Sequence, residues 1–174
     1  FVVRSTVRYF LHIGESEQAH HILRRSPNIK IDPWLQASEL AVAAICNKPS
    51  MLTKNMFRSL LDAKHIGPDR AELASAVATM ELISGSNKNA KQLFNKALIN
   101  PNDNSLAQAE WAAEKLKLVV DEKALKTPFS FEANSNHAYR RMEIGDAIAH
   151  ANKWALDEPF ASRPFDTLNY LYSL

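Results

Sequence analysis

Glycine is scarce in this chain. Only four occur among 174 residues, Gly14, Gly67, Gly85 and Gly145, and they lie far apart. A nucleotide-binding α/β fold spends about three glycines on one phosphate loop, so no Gly-rich phosphate cradle is present. Cysteine is scarcer still. Cys46 alone excludes an internal disulfide framework and any multi-cysteine zinc site. No apolar run approaches the roughly 18 residues that a membrane-spanning helix needs, and Arg4 and Arg8 interrupt the opening segment where a signal peptide would be apolar. One thiol without a leader suits a reducing compartment, so the sequence predicts a cytoplasmic protein with no membrane partner. What is present is an ordinary globular mixture, 46% hydrophobic and 23% charged.

Charge is balanced overall but not along the chain. The net charge is +2, whereas residues 1–70 carry ten Lys/Arg against six Asp/Glu and residues 71–174 carry eleven against thirteen. The densest basic spots are Arg4/Arg8, Arg24/Arg25 and Arg140/Arg141. A nucleic-acid footprint would be a stronger and more continuous stripe. Mixed charge is the usual solvated surface, and the pattern disfavours nucleic acid as a partner.

The apolar residues recur with a helical period throughout. Residues 2–13 read as a first helix, and 34–46 as an Ala- and Leu-rich helix. Residues 51–63 place Leu52, Met56, Leu60 and Ala63 on one face, and 70–84 place Leu73, Ala76, Val77, Met80 and Ile83 together. The segment 88–99 aligns Ala90, Leu93, Phe94, Ala97 and Leu98, and 104–119 aligns Leu106, Ala109, Ala113, Leu116 and Val119. Further helices are predicted over 132–143, 146–156 and 162–173, whereas 121–131, with Pro128, reads as a short or broken helix and a loop. Proline and glycine mark the helix ends, as in Asn47-Lys48-Pro49, Gly67-Pro68, Gly85-Ser86, Asn100-Pro101 and Glu158-Pro159. Ser86 or Asn87, and Asn104, are the candidate caps for the helices they precede. Connections of two to six residues imply antiparallel neighbours, so the fold class is all-α.

A repeat is visible within this pattern. Ala90 lies five residues after Gly85, Ala97 seven after that, and Pro101 follows; Gly14 likewise precedes Ala19 by five. Gly14 and Gly85 are 71 residues apart, about two periods of a helix–turn–helix repeat of roughly 34 residues. The segment GSNKNAKQLFNKALINPND, residues 85–103, resembles the second helix and exit turn of the tetratricopeptide repeat family. In the tail, Ala147 and Pro159 share the family's alanine-to-proline spacing, and Phe165, Leu168 and Tyr172 match the first helix of a following unit. Trp154 stands where a second small alanine is expected, Asn169 where the family prefers glycine or alanine, and Gly145 lies only two residues before Ala147, so that turn is shortened or shifted. The resemblance implies a right-handed α-solenoid of stacked antiparallel helix pairs. It would span residues 1–174 as one array of about five pairs, irregular near 121–131. The chain starts without methionine inside one first helix and stops at Leu174 in another, whose Phe165, Leu168, Tyr170, Leu171 and Tyr172 are too apolar for a finished cap. The expectation is a piece of a longer protein.

No catalytic constellation emerges. His20 and His21 are adjacent, so their side chains diverge by about 100° on a helix and cannot share a metal; His12 with Glu15 or Glu17 could approach His20 across a turn. His65, His137 and His150 stand alone and read as structural or solvated. Asp157-Glu158 fits an exit turn, and the serines lack the flanking glycines of a nucleophile elbow. Cys46 reads as a buried, inert thiol, and Trp34, Trp111 and Trp154 read as core aromatics. No cofactor, metal or enzymatic activity is expected.

The resemblance implies that the first helix of each pair lines a concave groove. Counting from each turn gives Arg4, Arg8, Ser75, Thr79, Gln108, Ala112, Lys115, Ser135, Tyr139, Asp166 and Tyr170 as inward positions, a mixed polar groove with arginines at one end and tyrosines at the other. The lysine, asparagine and arginine set with which some family members hold a C-terminal carboxylate is not found here. The sequence thus predicts a non-catalytic scaffold for a peptide or protein partner. Its alternative is a regulatory or sensor segment packed against another domain of a larger enzymatic or nucleic-acid-associated protein.

Overall fold

A computed structural model describes residues 2–52 and 54–174, without the side chain of residue 54. The expected helix 51–63 therefore crosses one residue, 53, outside the described set, as does Phe1 at the start. Among the described residues there are ten α-helices, one short 3₁₀ turn and no strand. They are α1 (Val2–His12), α2 (Ser16–Arg25), α3 (Pro33–Ile45), α4 (Lys54–Asp62), α5 (Pro68–Ile83), α6 (Asn87–Ala97), α7 (Asp103–Leu116), α8 (Phe131–Arg140), α9 (Ile144–Asp157) and α10 (Arg163–Tyr172). The 3₁₀ turn, Ala124–Lys126, lies in the segment expected to be broken. The chain divides into two compact units, residues 1–100 with α1–α6 and residues 101–174 with α7–α10.

Local chemistry sets the helix starts. The Asp32 side chain accepts from the backbone N–H of Trp34 at 2.9 Å and of Leu35 at 3.3 Å, and Pro33 opens α3 with a φ already suited to it. Pro68 opens α5 in the same way. Asn102 caps α7 in a reciprocal box with Ser105, so the cap stands two residues before the expected Asn104. Ser86 occupies the cap position of α6 but makes no side-chain hydrogen bond there.

Five of the described helices, α1, α3, α5, α7 and α8, end by one device. At Gly14, Asn47, Gly85, Lys117 and Met142 the backbone turns left-handed, with φ of 81°, 51°, 90°, 50° and 61°. At each of the five, that residue's N–H bonds the carbonyl three residues back, and the next N–H bonds the carbonyl five back from itself. This is the helix-terminating pattern that satisfies otherwise orphaned carbonyls. Gly145, expected near a turn, is instead the second residue of α9. The left-handed position belongs to Met142, and its distance to Ala147 is the same five residues as Gly14 to Ala19 and Gly85 to Ala90. All three alanines are fully buried.

Unit 1 has a core of Val7, Ala19, Leu23, Ile29, Leu35 and Val42 from the α1–α3 region. Helix α5 packs against both α3 and α6, and every residue from Ala71 to Ala78 is buried. A helix enclosed on all sides shows no polar stripe, yet Ile83 at its end is exposed, unlike its predicted stripe. Unit 2 packs α8 on α7 and α9, and α9 on α10, around Ala138, Ala147, Ala151, Leu168 and Leu171. Val119 lies beyond the end of α7 and is exposed. Of the three tryptophans read as core, Trp154 is buried, whereas Trp34 and Trp111 are 41% and 59% exposed. Cys46 is only half-buried, its thiol 3.4 Å from the Ser16 carbonyl oxygen.

Candidate partner-binding surface

The expected groove residues divide sharply. In unit 1, Arg4 donates to Glu72 of α5 at 2.8 Å, and its guanidinium lies 5.8 Å from the centre of the Trp34 ring on α3. Arg8 is half-buried two turns along α1. Ser75 is fully buried and offers nothing to a partner, because α5 is enclosed; this corrects its assignment to the groove. Thr79 is half-buried and returns its hydroxyl to the Ser75 carbonyl at 3.0 Å. Ala112 and Ser135 are buried as well, and Ser135 donates to the Ala147 carbonyl at 2.9 Å. In unit 2, Gln108 and Tyr139 are half-buried, whereas Lys115, Asp166 and Tyr170 are exposed.

Two of these residues meet directly. The Tyr139 and Tyr170 hydroxyls are 2.6 Å apart, and their rings stand edge to face with centres 5.6 Å apart. Two turns earlier on the same helices, Arg163 of α10 donates to Glu132 of α8 at 3.0 Å. Both links join residues 31 apart in sequence, the first near the end of each helix and the second near the start. Helices α8 and α10 therefore run side by side in the same direction, and the two pairs form rungs between them. Tyr139 titrates above the ordinary phenol range, chiefly because its bond to Tyr170 favours the neutral form, with the Glu114 charge adding to this. Burial pushes the Glu132 carboxyl up; the Arg163 charge opposes that, and Glu158 and Asp103 reinforce it. A shallow hollow beside Glu132 is walled by Ala107, Phe129 and Trp154, with Arg163 also 5.3 Å from the centre of the Trp154 ring.

Sequence reasoning missed the buried carboxylates. Glu110 on α7, 1% exposed, accepts from Arg140 of α8, and His137 Nδ1 lies 3.0 Å from its other oxygen. Glu39, also buried, accepts from the Ser50 hydroxyl at 2.6 Å and the Met51 N–H at 2.9 Å. His137 is therefore bonded to Glu110 through its ring nitrogen, a structural role that its isolation in sequence concealed. The signal available was a glutamate inside the small, apolar row of Leu106, Ala109 and Ala113, where an unpaired charge would be very costly. Of the remaining histidines, His150 is held below its usual range by burial and then by Lys153, against a smaller opposing pull from Asp146. Among the described residues, no three His, Cys, Asp or Glu side chains gather as a metal site. Among them, too, no helix is long and apolar enough to cross a membrane.

Comparison with family models, with curated proteins and with solved structures returns no match for this chain.

Proposed function

We propose that the chain is a helical-repeat module of the tetratricopeptide type, a non-catalytic scaffold whose first helices bind an extended peptide or protein surface. One observation carries the reading: several side-chain bonds link residues about one repeat length apart. In unit 1, Cys46 reaches Ser16 across 30 residues, Lys48 pairs with Glu17 across 31, Gln92 reaches the Leu61 carbonyl across 31 and Lys96 the Ala63 carbonyl across 33. In unit 2, Arg140 reaches Glu110 across 30, and the two α8–α10 rungs each span 31. Stacked units make such bonds because neighbours meet at equivalent positions, and the Arg4–Glu72 pair, 68 residues apart, spans about two such lengths. The left-handed turns at Gly14, Gly85 and Met142, each five residues before a buried alanine, support the same register. On this reading the array is a right-handed solenoid of antiparallel pairs, with α8 and α10 as successive first helices.

Selection of displayed twelve-residue peptides on the 174-residue chain, followed by calorimetry with the synthesised winners, tests this. Saturable 1:1 binding is expected; a selection that yields no binding peptide contradicts it.

A second reading, a regulatory segment covered by another domain, is favoured by Leu156 near the end of α9 and Phe160 in the turn beyond it, 82% and 77% exposed. Large apolar side chains left exposed close together mark contact surfaces. Improved solubility of a Leu156→Lys/Phe160→Lys variant with unchanged peptide binding would place that contact apart from the groove.

A further inference from the structure

Resting on the partner-binding reading, we propose that the tyrosine pair of α8 and α10 is the docking point for a basic side chain, arginine or lysine, of the partner. Tyr170 is 49% exposed, and the edge-to-face arrangement with Tyr139 fixes both rings without enclosing them. An aromatic face carries a negative quadrupole and attracts a cation above it. The two hydroxyls share one hydrogen bond, which leaves the pair one further proton to donate and free lone pairs to accept an N–H.

The charges around the pair select the sign of the partner. Asp166 lies one turn before Tyr170, so it shares that face of α10, and it is exposed. Glu114 of α7 is exposed and close enough for its charge to act on Tyr139. Neither carboxylate has an ion-pair partner among the described residues. Arg140, next to Tyr139 in sequence, is committed to the buried Glu110, and Arg141 pairs with Glu143. Lys115 follows Glu114 but projects about 100° away around α7. Unit 2 as a whole carries eight Lys/Arg against eleven Asp/Glu, whereas unit 1 carries thirteen against eight. An acidic side chain would meet repulsion at the tyrosines, and a neutral one would leave Asp166 and Glu114 uncompensated. A guanidinium or ammonium satisfies ring faces, hydroxyls and carboxylates together.

The test uses the full chain and peptides selected from the displayed twelve-residue library. The winners are expected to contain arginine or lysine, and replacing that residue by norleucine should weaken binding about tenfold. Asp166→Lys, an exposed change that disturbs no packing, should weaken binding by a similar factor, and Tyr170→Leu likewise. A Tyr139→Phe/Tyr170→Phe variant keeps the rings but not the hydroxyls and should lose less affinity than Tyr170→Leu. Winning peptides without basic residues, or an unchanged affinity in both Asp166→Lys and Tyr170→Leu with circular dichroism preserved, would overturn the inference while the partner-binding reading stands. A selection that returns no binder overturns both.

Discussion

Replacing Met142 by glycine should stabilise the protein, although it removes a large side chain. Met142 holds a left-handed backbone, φ 61°, at the turn between α8 and α9. For an L-residue that conformation costs about 1–2 kcal/mol, because Cβ crowds the carbonyl that follows. The side chain is 75% exposed, so its removal sacrifices little packing. Glycine returns part of the gain by loosening the unfolded chain, about 0.4–1 kcal/mol. The net expectation is a stabilisation of about 0.5–1 kcal/mol. The reverse experiment is Gly85→Ala at the equivalent turn, where φ is 90° and an added Cβ would meet nothing within 4 Å. Its cost is therefore one of backbone alone, again about 1 kcal/mol. Urea unfolding followed by circular dichroism reads both: with a slope of about 2 kcal/mol per molar urea, the midpoints should move apart by about 0.5–1 M. A lowered midpoint for Met142→Gly, or no change for Gly85→Ala, would refute the assignment of these residues to one equivalent turn.

Three further outcomes are expected. Glu110→Ala, which removes a buried carboxylate and its bonds to the partly exposed Arg140 and His137, should cost about 1–3 kcal/mol in urea unfolding; an unchanged midpoint would show that the pair is not a lock. Glu132→Gln bears on pH: burial raises the folded-state pKa above 4.5, so the folded form holds that proton more tightly and wild-type stability falls as pH rises through this range. The Gln variant should therefore gain on the wild type as pH rises above about 4.5, and a constant or shrinking difference would contradict the burial. Asn102→Ala should cost about 1 kcal/mol by removing half of the α7 capping box; an unchanged thermal midpoint would show that Ser105 alone suffices.

Much of the helical layout was legible because its punctuation is chemical. Pro68 and Pro101 fall where helices must start or follow a stop, and Gly14 and Gly85 stand where the backbone must turn left-handed. The turns at Asn47, Lys117 and Met142 use the same geometry without glycine, so composition gave no sign of them, and Gly145 drew attention to the wrong residue. Groove positions counted from turns placed Tyr139 and Tyr170 on helices that bring them together. The same counting failed at Ser75, because it assumes one open face and α5 has none. Trp34 and Trp111 were read as core from residue type, yet each keeps much of its ring exposed. The Glu110 lock was invisible because its partners lie 27 and 30 residues away, a distance that only the fold brings to bonding range.

The central claim is that the first helices form the partner-binding face. Hydrogen–deuterium exchange of the full chain, with and without a selected peptide, tests it most directly. Slowed exchange is expected in α8 and α10 around Tyr139 and Tyr170, with α9 unchanged. Protection confined to α9 and the exposed Leu156–Phe160 segment would contradict it.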